Sequence, residues 1–514
     1  MPRHTRLRAA GGAALLLLIV ACAPEYRPCW LGGNCADTVV AGSVFLFEGQ
    51  AFSEVLLQER TFVQGRSVTT VTHRTGDLTR RPVLIDFNAD GRVDPVVAYA
   101  QERLGVIQIL LSHGPPGTTE FFSLTLDGGE NAWQDLADVA VGDIDGDGNL
   151  DLVAATAEGV VYLHHPAAPD RTHVLSEWGA PTGAAELING TGDQLTDEEL
   201  MGLIAQAIGV GANLDNYIVT VTQGYTSVEI ADFDRDGAND IAASRRLRVD
   251  LQPKPDIPLS GITIVAGSMQ LLINPGAATT GADWTGVIVG QHERHATFDR
   301  DGARELRACD VDRDGDFDLV SAATDDNNVQ IAWFENPGGG GYIDPLIPWA
   351  QRRIGSARGA TAIEVADLNG DGRADVAAAS PEQMQLLLFL QPDSVADRGY
   401  DWYGVPIVTF TSFEPRAVTA LDVDLDGALE LVVGGSEGTL RYFEPPLLSE
   451  VDWAGHVITD FDPVGDVGGM GYGDFDGDGD LDLIVPLAGS AAAAERVVWV
   501  RNELIPSLPP GLAP

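Results

Sequence analysis

Apolar and polar residues alternate along most of the chain in short runs, the period-two signature of half-buried strands. The runs recur in a fixed order. An alternating stretch leads in, as in Leu136-Ala137-Asp138-Val139-Ala140-Val141, and an acidic turn follows. A second apolar run starts directly after the turn, as in Leu152-Val153-Ala154-Ala155 or Leu431-Val432-Val433. A third is often aromatic: Val160-Val161-Tyr162-Leu163, Ile331-Ala332-Trp333-Phe334, Leu440-Arg441-Tyr442-Phe443 and Val497-Val498-Trp499-Val500. That run usually ends in a polar residue and a proline: His165-Pro166, Asn274-Pro275, Asn336-Pro337, Gln391-Pro392 and Glu444-Pro445. A fourth segment often opens on tryptophan, at Trp284, Trp349, Trp402 and Trp453. Four short strands per unit predict one propeller blade, with the tryptophans filling the wedges between blades.

The acidic turns share one nine-residue pattern, D-x-[DN]-x-D-G-x-x-[DE], which occurs seven times. The copies are Asp86-Asn88-Asp90-Gly91-Asp94, Asp143-Asp145-Asp147-Gly148-Asp151, Asp232-Asp234-Asp236-Gly237-Asp240, Asp310-Asp312-Asp314-Gly315-Asp318, Asp367-Asn369-Asp371-Gly372-Asp375, Asp422-Asp424-Asp426-Gly427-Glu430 and Asp474-Asp476-Asp478-Gly479-Asp482. Their starts are 57, 89, 78, 57, 55 and 52 residues apart, so two units are enlarged. A repeat of this kind predicts an all-β fold, a seven-bladed β-propeller over 65–503. After the seventh turn the chain has only two more strands, 482–487 and 496–502, before a Pro-rich tail at 504–514. A spare segment, Ser67 to His73, is expected to close the ring as the fourth strand of the last blade and to cover its open edge.

Carboxylates at positions 1, 3 and 5 of a tight loop can converge on one point. Position 6 is glycine in all seven copies, as a sharp turn with positive φ requires. Position 7 varies (Arg92, Asn149, Ala238, Asp316, Arg373, Ala428, Asp480), as suits a ligand that is a backbone carbonyl. Position 9 adds a last acid. An all-oxygen set suits Ca²⁺, whereas Zn²⁺ would want His or Cys. The loop shares its first half with the EF-hand loop but has no acid at position 12 and no flanking helices. Solvated acidic turns alone would not explain glycine at every sixth position and an acid at every ninth.

These copies, with following strands such as Leu150-Asp151-Leu152-Val153 and Phe317-Asp318-Leu319-Val320, resemble FG-GAP/VCBS-type repeats of bacterial surface proteins and integrin α heads. The resemblance implies a propeller with up to seven Ca²⁺ in its hairpins, held by the positions named above. Asn88 and Asn369 at position 3 and Glu430 at position 9 depart from the pattern, and sites one and five are expected to bind more weakly. Clear Phe-Gly and Gly-Ala-Pro signatures are missing from most units, so integrin-like ligand binding is not carried over. Extracellular calcium modules bind at about 10⁻⁴–10⁻³ M, which at roughly millimolar Ca²⁺ gives ~0.4–1.4 kcal/mol per site, or ~3–10 kcal/mol in total for independent sites. Against a domain stability of about 5–15 kcal/mol, calcium reads as a folding ligand.

Charge and composition narrow the function. Among 514 residues, 76 acids face 31 basic residues, a net charge of −45, which excludes a binder of nucleic-acid phosphates. Lys254 is the only lysine. Arg3, Arg6 and Arg8 precede the apolar run Leu15–Val20, which is too short to span a bilayer and has the form of a secretory signal over 1–21. Ile19-Val20-Ala21-Cys22 resembles the bacterial lipobox, implying a lipid on Cys22; plain cleavage beside an incidental cysteine is the alternative. Either cut removes three arginines and no acid, taking the charge from −45 to −48. Residues 22–64 form an anchor or linker in which Cys29 and Cys35 can pair as a disulfide, and Cys309 reads as a lone buried thiol. The expected location is the bacterial cell envelope, facing the surface or periplasm, with membrane contact through the lipid only.

Two insertions, about 180–223 and 248–262, carry the non-repetitive sequence. In the first, Thr196-Asp197-Glu198-Glu199 forms a capping box for a small helix through Ile208. Both are expected on the face opposite the acidic hairpins, where they either build a partner site or merely cover the channel. Gly434-Gly435-Ser436-Glu437-Gly438 matches a nucleophile-elbow string but precedes no helix, His292 and His295 find no third ligand, and His164-His165 read as structural. No catalytic residue is assigned. The expected function is a calcium-stabilised, lipid-anchored surface interaction or adhesion module for a protein or glycan. The alternative is a carbohydrate-active enzyme, a polysaccharide lyase or hydrolase, on the same scaffold.

Overall fold

The structure, a computed structural model, describes strand segments from Ser53 to His73 and most of residues 82–502; residues 1–52, 189–215 and 503–514 and shorter stretches lie outside it. The expectations for the signal segment, Cys22, Cys29, Cys35 and the 196–208 helix fall outside the described residues. The fold is all-β. Among the described residues regular structure is almost wholly strand, and Ser436–Gly438 is a single helical turn. Among the described residues no helix is long and apolar enough to cross a membrane.

Consecutive strands pair into four-stranded antiparallel sheets in chain order. The first contains Val83–Ile85, Asp94–Gln101, Leu104–Ser112 and Phe121–Leu126. The second contains Asp138–Gly142, Asp151–Ala155, Val160–Leu163 and Glu186–Leu187. The third holds Tyr217–Ala231, Asp240–Pro253, Ile262–Ile273 and Thr285–Gly290. Glu305–Cys309, Asp318–Ala322, Ile331–Glu335 and Ala350–Gly355 make the fourth. Ala362–Ala366, Asp375–Ser380, Gln385–Leu390 and Tyr403–Thr409 make the fifth. The sixth is Pro415–Leu421, Glu430–Gly435, Thr439–Glu444 and Ala454–Asp460. The seventh has Gly471–Gly473, Asp482–Leu487 and Glu495–Arg501.

The second strand of each sheet starts at position 9 of the acidic turn, so each nine-residue loop is the hairpin joining strands one and two. Second strands such as Asp151–Ala155 and Asp318–Ala322 are buried on both faces, which is why they read as unbroken apolar runs rather than alternation. The core lies between sheets. Tyr162 and Val153 of the second sheet pack with Ile230, Ile241 and Trp284 of the third. Trp349 and Trp402 are buried in the third-to-fourth and fourth-to-fifth clusters. Phe475, Ile484 and Trp499 of the seventh sheet share a cluster with Val97 and Leu110 of the first.

Three expectations change. The fourth strand of the seventh sheet is Ser53–Leu56, paired with Val498–Arg501; of the described residues of Ser67–His73, Thr72 and His73 join the sheet, opposite Arg496 and Glu495. The last strand is long enough to take both, and alternation alone could not say which segment would hold more of the edge. The insertion at 248–262 is built largely as strand rather than irregular loop. The third sheet's strands run on to Pro253 and resume at Ile262, because the alternation Leu247, Val249, Leu251 against Arg248, Asp250, Gln252 continues unbroken until prolines end it. Val249, Leu251 and Ile264 are buried on one side of this extension, while Ile218, Val219 and Val221 on its first strand stay exposed. Cys309 is buried as expected but is disulfide-bonded, with a partner outside the described residues.

Candidate metal centre

The seven hairpins share one hydrogen-bond pattern, written by the side chains of the motif. The Oδ2 of the position-1 aspartate accepts the N–H of the position-6 glycine at 2.7–3.1 Å in all seven loops. The position-5 Oδ1 accepts the N–H of position 7 at 2.8–3.2 Å in all seven. The side chains at positions 3 and 5 accept N–H groups two residues on, as in Asx turns, and the backbone curls around the carboxylates. The position-6 glycines have φ between +83° and +101°. A Cβ placed on Gly427 meets nothing within 4 Å, so only the backbone conformation opposes a side chain there. Gly427→Ala is expected to cost about 1–2 kcal/mol, read as a lower denaturation midpoint. Position 4 is left-handed too, from Ala89 at +58° to Gly477 at +75°. Glycine at Gly146, Gly370 and Gly477 was the sequence signal for it, masked by Ala89, Arg235, Arg313 and Leu425 in the other copies.

The position-9 acids are buried and most do double duty. One oxygen accepts the N–H of position 2, as in Phe87 to Asp94 at 3.0 Å and Val423 to Glu430 at 2.7 Å. The other accepts the N–H of the residue after strand three, as in Asn336 to Asp318 at 2.7 Å and Asn502 to Asp482 at 2.8 Å. Burial pushes these carboxyls up: Asp94 and Asp151 to about 7, Asp240 and Asp375 to about 8, and Glu430 to about 9. Neighbouring acids of the same loop add to the rise. Such groups carry charge comfortably only beside a compensating cation.

Donor oxygens converge accordingly. In the third, fourth and sixth loops, atoms of Asp232, Asp234 and Asp240, of Asp310, Asp312 and Asp318, and of Asp422, Asp424 and Glu430 each lie within 4.8 Å of one another. In the second loop Asp143, Asp145 and Asp147 form one such group, and Asp145, Asp151 and His164 another. Asp476 of the seventh loop lies outside the described residues. The first and fifth loops, which contain Asn88 and Asn369, form no three-acid group among the described residues. All-oxygen donors of this kind fit a hard divalent cation such as Ca²⁺.

Some contacts were not legible in the motif. His164 Nδ1 lies 3.4 Å from Asp145 Oδ2 and, as its first cause, holds that carboxyl below the usual range. Glu335 and Glu444, which also end third strands, push up the Asp312 and Asp424 carboxyls after burial has done so. The amides after strand three bolt neighbouring sheets together. Asn274 Nδ2 donates to Ile144 O (2.7 Å), Asn336 Nδ2 to Phe233 O (3.0 Å), Gln391 Nε2 to Val311 O (2.7 Å) and Asn502 Nδ2 to Val423 O (2.8 Å). Each acceptor is the position-2 carbonyl of the preceding sheet's loop. The recurring polar-Pro pair was the signal, without its partner. The first strands also gather a buried charge cluster. Arg307 Nη1 donates to Glu229 Oε1 (3.3 Å) and Leu306 O (2.7 Å), and Arg307 Nη2 donates to Glu305.

A family model for the FG-GAP-like repeat matches residues 86–154 and 310–378, spanning the first and second and the fourth and fifth of these hairpins and the strands between them. In these two regions the chain carries FG-GAP-like repeats. On consecutive four-stranded sheets such repeats make a β-propeller scaffold. No curated protein matches the chain. Solved structures similar to it include BBS1N in complex with ARL6DN, at 13% identity and TM-score 0.42, covering 84% of this chain and 94% of that one. An Agrocybe aegerita lectin described for recognition of non-reducing terminal N-acetylglucosamine matches at 14% identity and TM-score 0.40, covering 76% and 82%. The Dos1 propeller matches at 10% identity and TM-score 0.35, covering 79% and 74%.

Proposed function

We propose that this FG-GAP-like repeat chain is a seven-bladed, calcium-stabilised β-propeller, exported and tethered to the bacterial envelope by a lipid on Cys22, that displays a surface for a protein or glycan partner. The observation that carries the metal reading is the convergence of three buried or half-buried carboxylates in the third, fourth and sixth hairpins. Ring closure is supported by the cluster shared by the seventh and first sheets and by Ser53–Leu56 on the last strand, which covers an edge that would otherwise template aggregation. The hairpin residues would hold the ion: positions 1, 3 and 9 by side-chain oxygens, with position 5 and the position-7 carbonyl completing the set. The ion supplies positive charge to buried carboxyls and no chemistry of its own. The exposed Ile218, Val219 and Val221 of the extended third sheet, beside the turn carrying Lys254, are the surface we propose for the partner.

Thermal melting with calcium and with chelator tests the metal reading; coincident curves would sink it. The tether is tested separately, by palmitate labelling of cells. Incorporation is expected in the parent chain and absent in Cys22→Ala, and labelling that survives the substitution removes the anchor.

A further inference from the structure

We propose that in the first and fifth hairpins an arginine side chain takes the place of the metal ion, so that calcium enters five loops and not seven. The inference rests on the calcium reading of the other five.

Two departures from the motif coincide. Asparagine stands at position 3 only in the first and fifth copies, Asn88 and Asn369, and arginine stands at position 7 only in the same two, Arg92 and Arg373. The structure shows what the arginines do. Arg92 grips the position-5 carboxylate with two nitrogens, Nη2 to Asp90 Oδ2 at 2.8 Å and Nε to Asp90 Oδ1 at 3.3 Å. Arg373 Nη2 bonds Asp371 and also reaches Asp393 at 2.6 Å, while its Nε donates to Gln391 O at 3.3 Å. A bidentate guanidinium matches a carboxylate in the way a cation would, and its charge is permanent. In the second loop the neutral Asn149 donates to Asp147 Oδ2 at 2.9 Å, which leaves the carboxylate's charge unmatched.

The charge count follows. The nine-residue segments of loops one and five carry a formal −2, whereas the other five carry −3 to −5. A divalent ion entering loop one or five would meet one carboxylate fewer and a guanidinium already on another. The backbone pattern is nevertheless intact: Asp371 N–H donates to Asp367 Oδ1 (3.0 Å) and to Asn369 Oδ1 (2.9 Å), and Gly372 N–H donates to Asp367 Oδ2 (2.7 Å). These loops close on their own side chains. Functionally, they would anchor two blades independently of the calcium concentration.

Equilibrium dialysis of the full chain at roughly millimolar free Ca²⁺, with metal analysis, reads the difference directly. About five ions per chain are expected, and the quadruple variant Asn88→Asp, Arg92→Ala, Asn369→Asp, Arg373→Ala is expected to gain two. Seven ions on the parent chain, or no gain in the variant, overturns the inference while leaving calcium binding standing. No bound calcium at all overturns both. Should the quadruple variant fail to fold, Arg92→Gln and Arg373→Gln decide the matter by melting. Equal losses in melting temperature with calcium and with chelator are expected; a loss confined to the chelated protein would show that these loops take the ion.

Discussion

Chelation is expected to remove ~2–7 kcal/mol of stability, taking five independent sites at about 0.4–1.4 kcal/mol each near millimolar calcium. Against a domain stability of about 5–15 kcal/mol this approaches unfolding, and the measurement is denaturant or thermal melting with Ca²⁺ and with chelator. The pH dependence gives a second handle. In the metal-free fold, burial holds Asp94 and Asp151 at about 7, Asp240 and Asp375 at about 8, and Glu430 at about 9. In the unfolded chain these acids ionise near pH 4. Between those values the folded state holds protons the unfolded state has released, so the chelated protein loses stability as pH rises from about 4 to about 8. Calcium replaces those protons. Its stabilising effect is therefore expected to be larger at pH 8 than at pH 5; an effect that shrinks with rising pH would contradict the loop assignment.

Arg307→Ala is the single substitution expected to do most damage, about 3–5 kcal/mol by chemical denaturation, because it strands buried charge. Burial disfavours the Arg307 charge, but Glu305, Glu229, Glu364 and Asp138 together outweigh that and raise its pKa. The cluster joins four sheets. Glu305 Oε2 accepts the Ile363 N–H of the fifth sheet at 3.1 Å. Ser227 Oγ of the third donates to Asp138 Oδ2 of the second at 2.9 Å and accepts the Leu306 N–H of the fourth at 3.2 Å. Removing the guanidinium leaves Glu229 and Glu305 buried without their counter-ion. Adding Glu229→Gln and Glu305→Gln is expected to recover part of the loss. If Arg307→Ala costs no more than a surface change, the cluster does not hold the sheets together.

The position of each hairpin was readable because its determinants are local. Aspartate at positions 1 and 5 and glycine at position 6 sit within a few residues of the backbone they turn, and the same bonds form in every copy. The double duty of position 9 was half readable. Its acid was visible, but the Asn336 and Asn502 N–H groups it accepts come from just beyond strand three, 18 and 20 residues on. The left-handed position 4 was hidden because Arg235 and Leu425 adopt that conformation despite their side chains. His164 reads as structural in the sequence because nothing in a His-His pair says which aspartate it will face.

Period-two alternation, the seven acid-glycine turns and the tally of charge belong to short stretches of chain, and from these alone the all-β class, the strand order within each sheet and the likeness to FG-GAP repeats followed. The tertiary structure decided everything that depends on residues meeting across tens of positions: Ser53–Leu56 on the last strand, the extension of the third sheet to Pro253, the amide bolts and the Arg307 cluster. The physical reason is one of range. A turn is stabilised by bonds to its own backbone, whereas the neighbour of a buried side chain is selected by how the sheets stack.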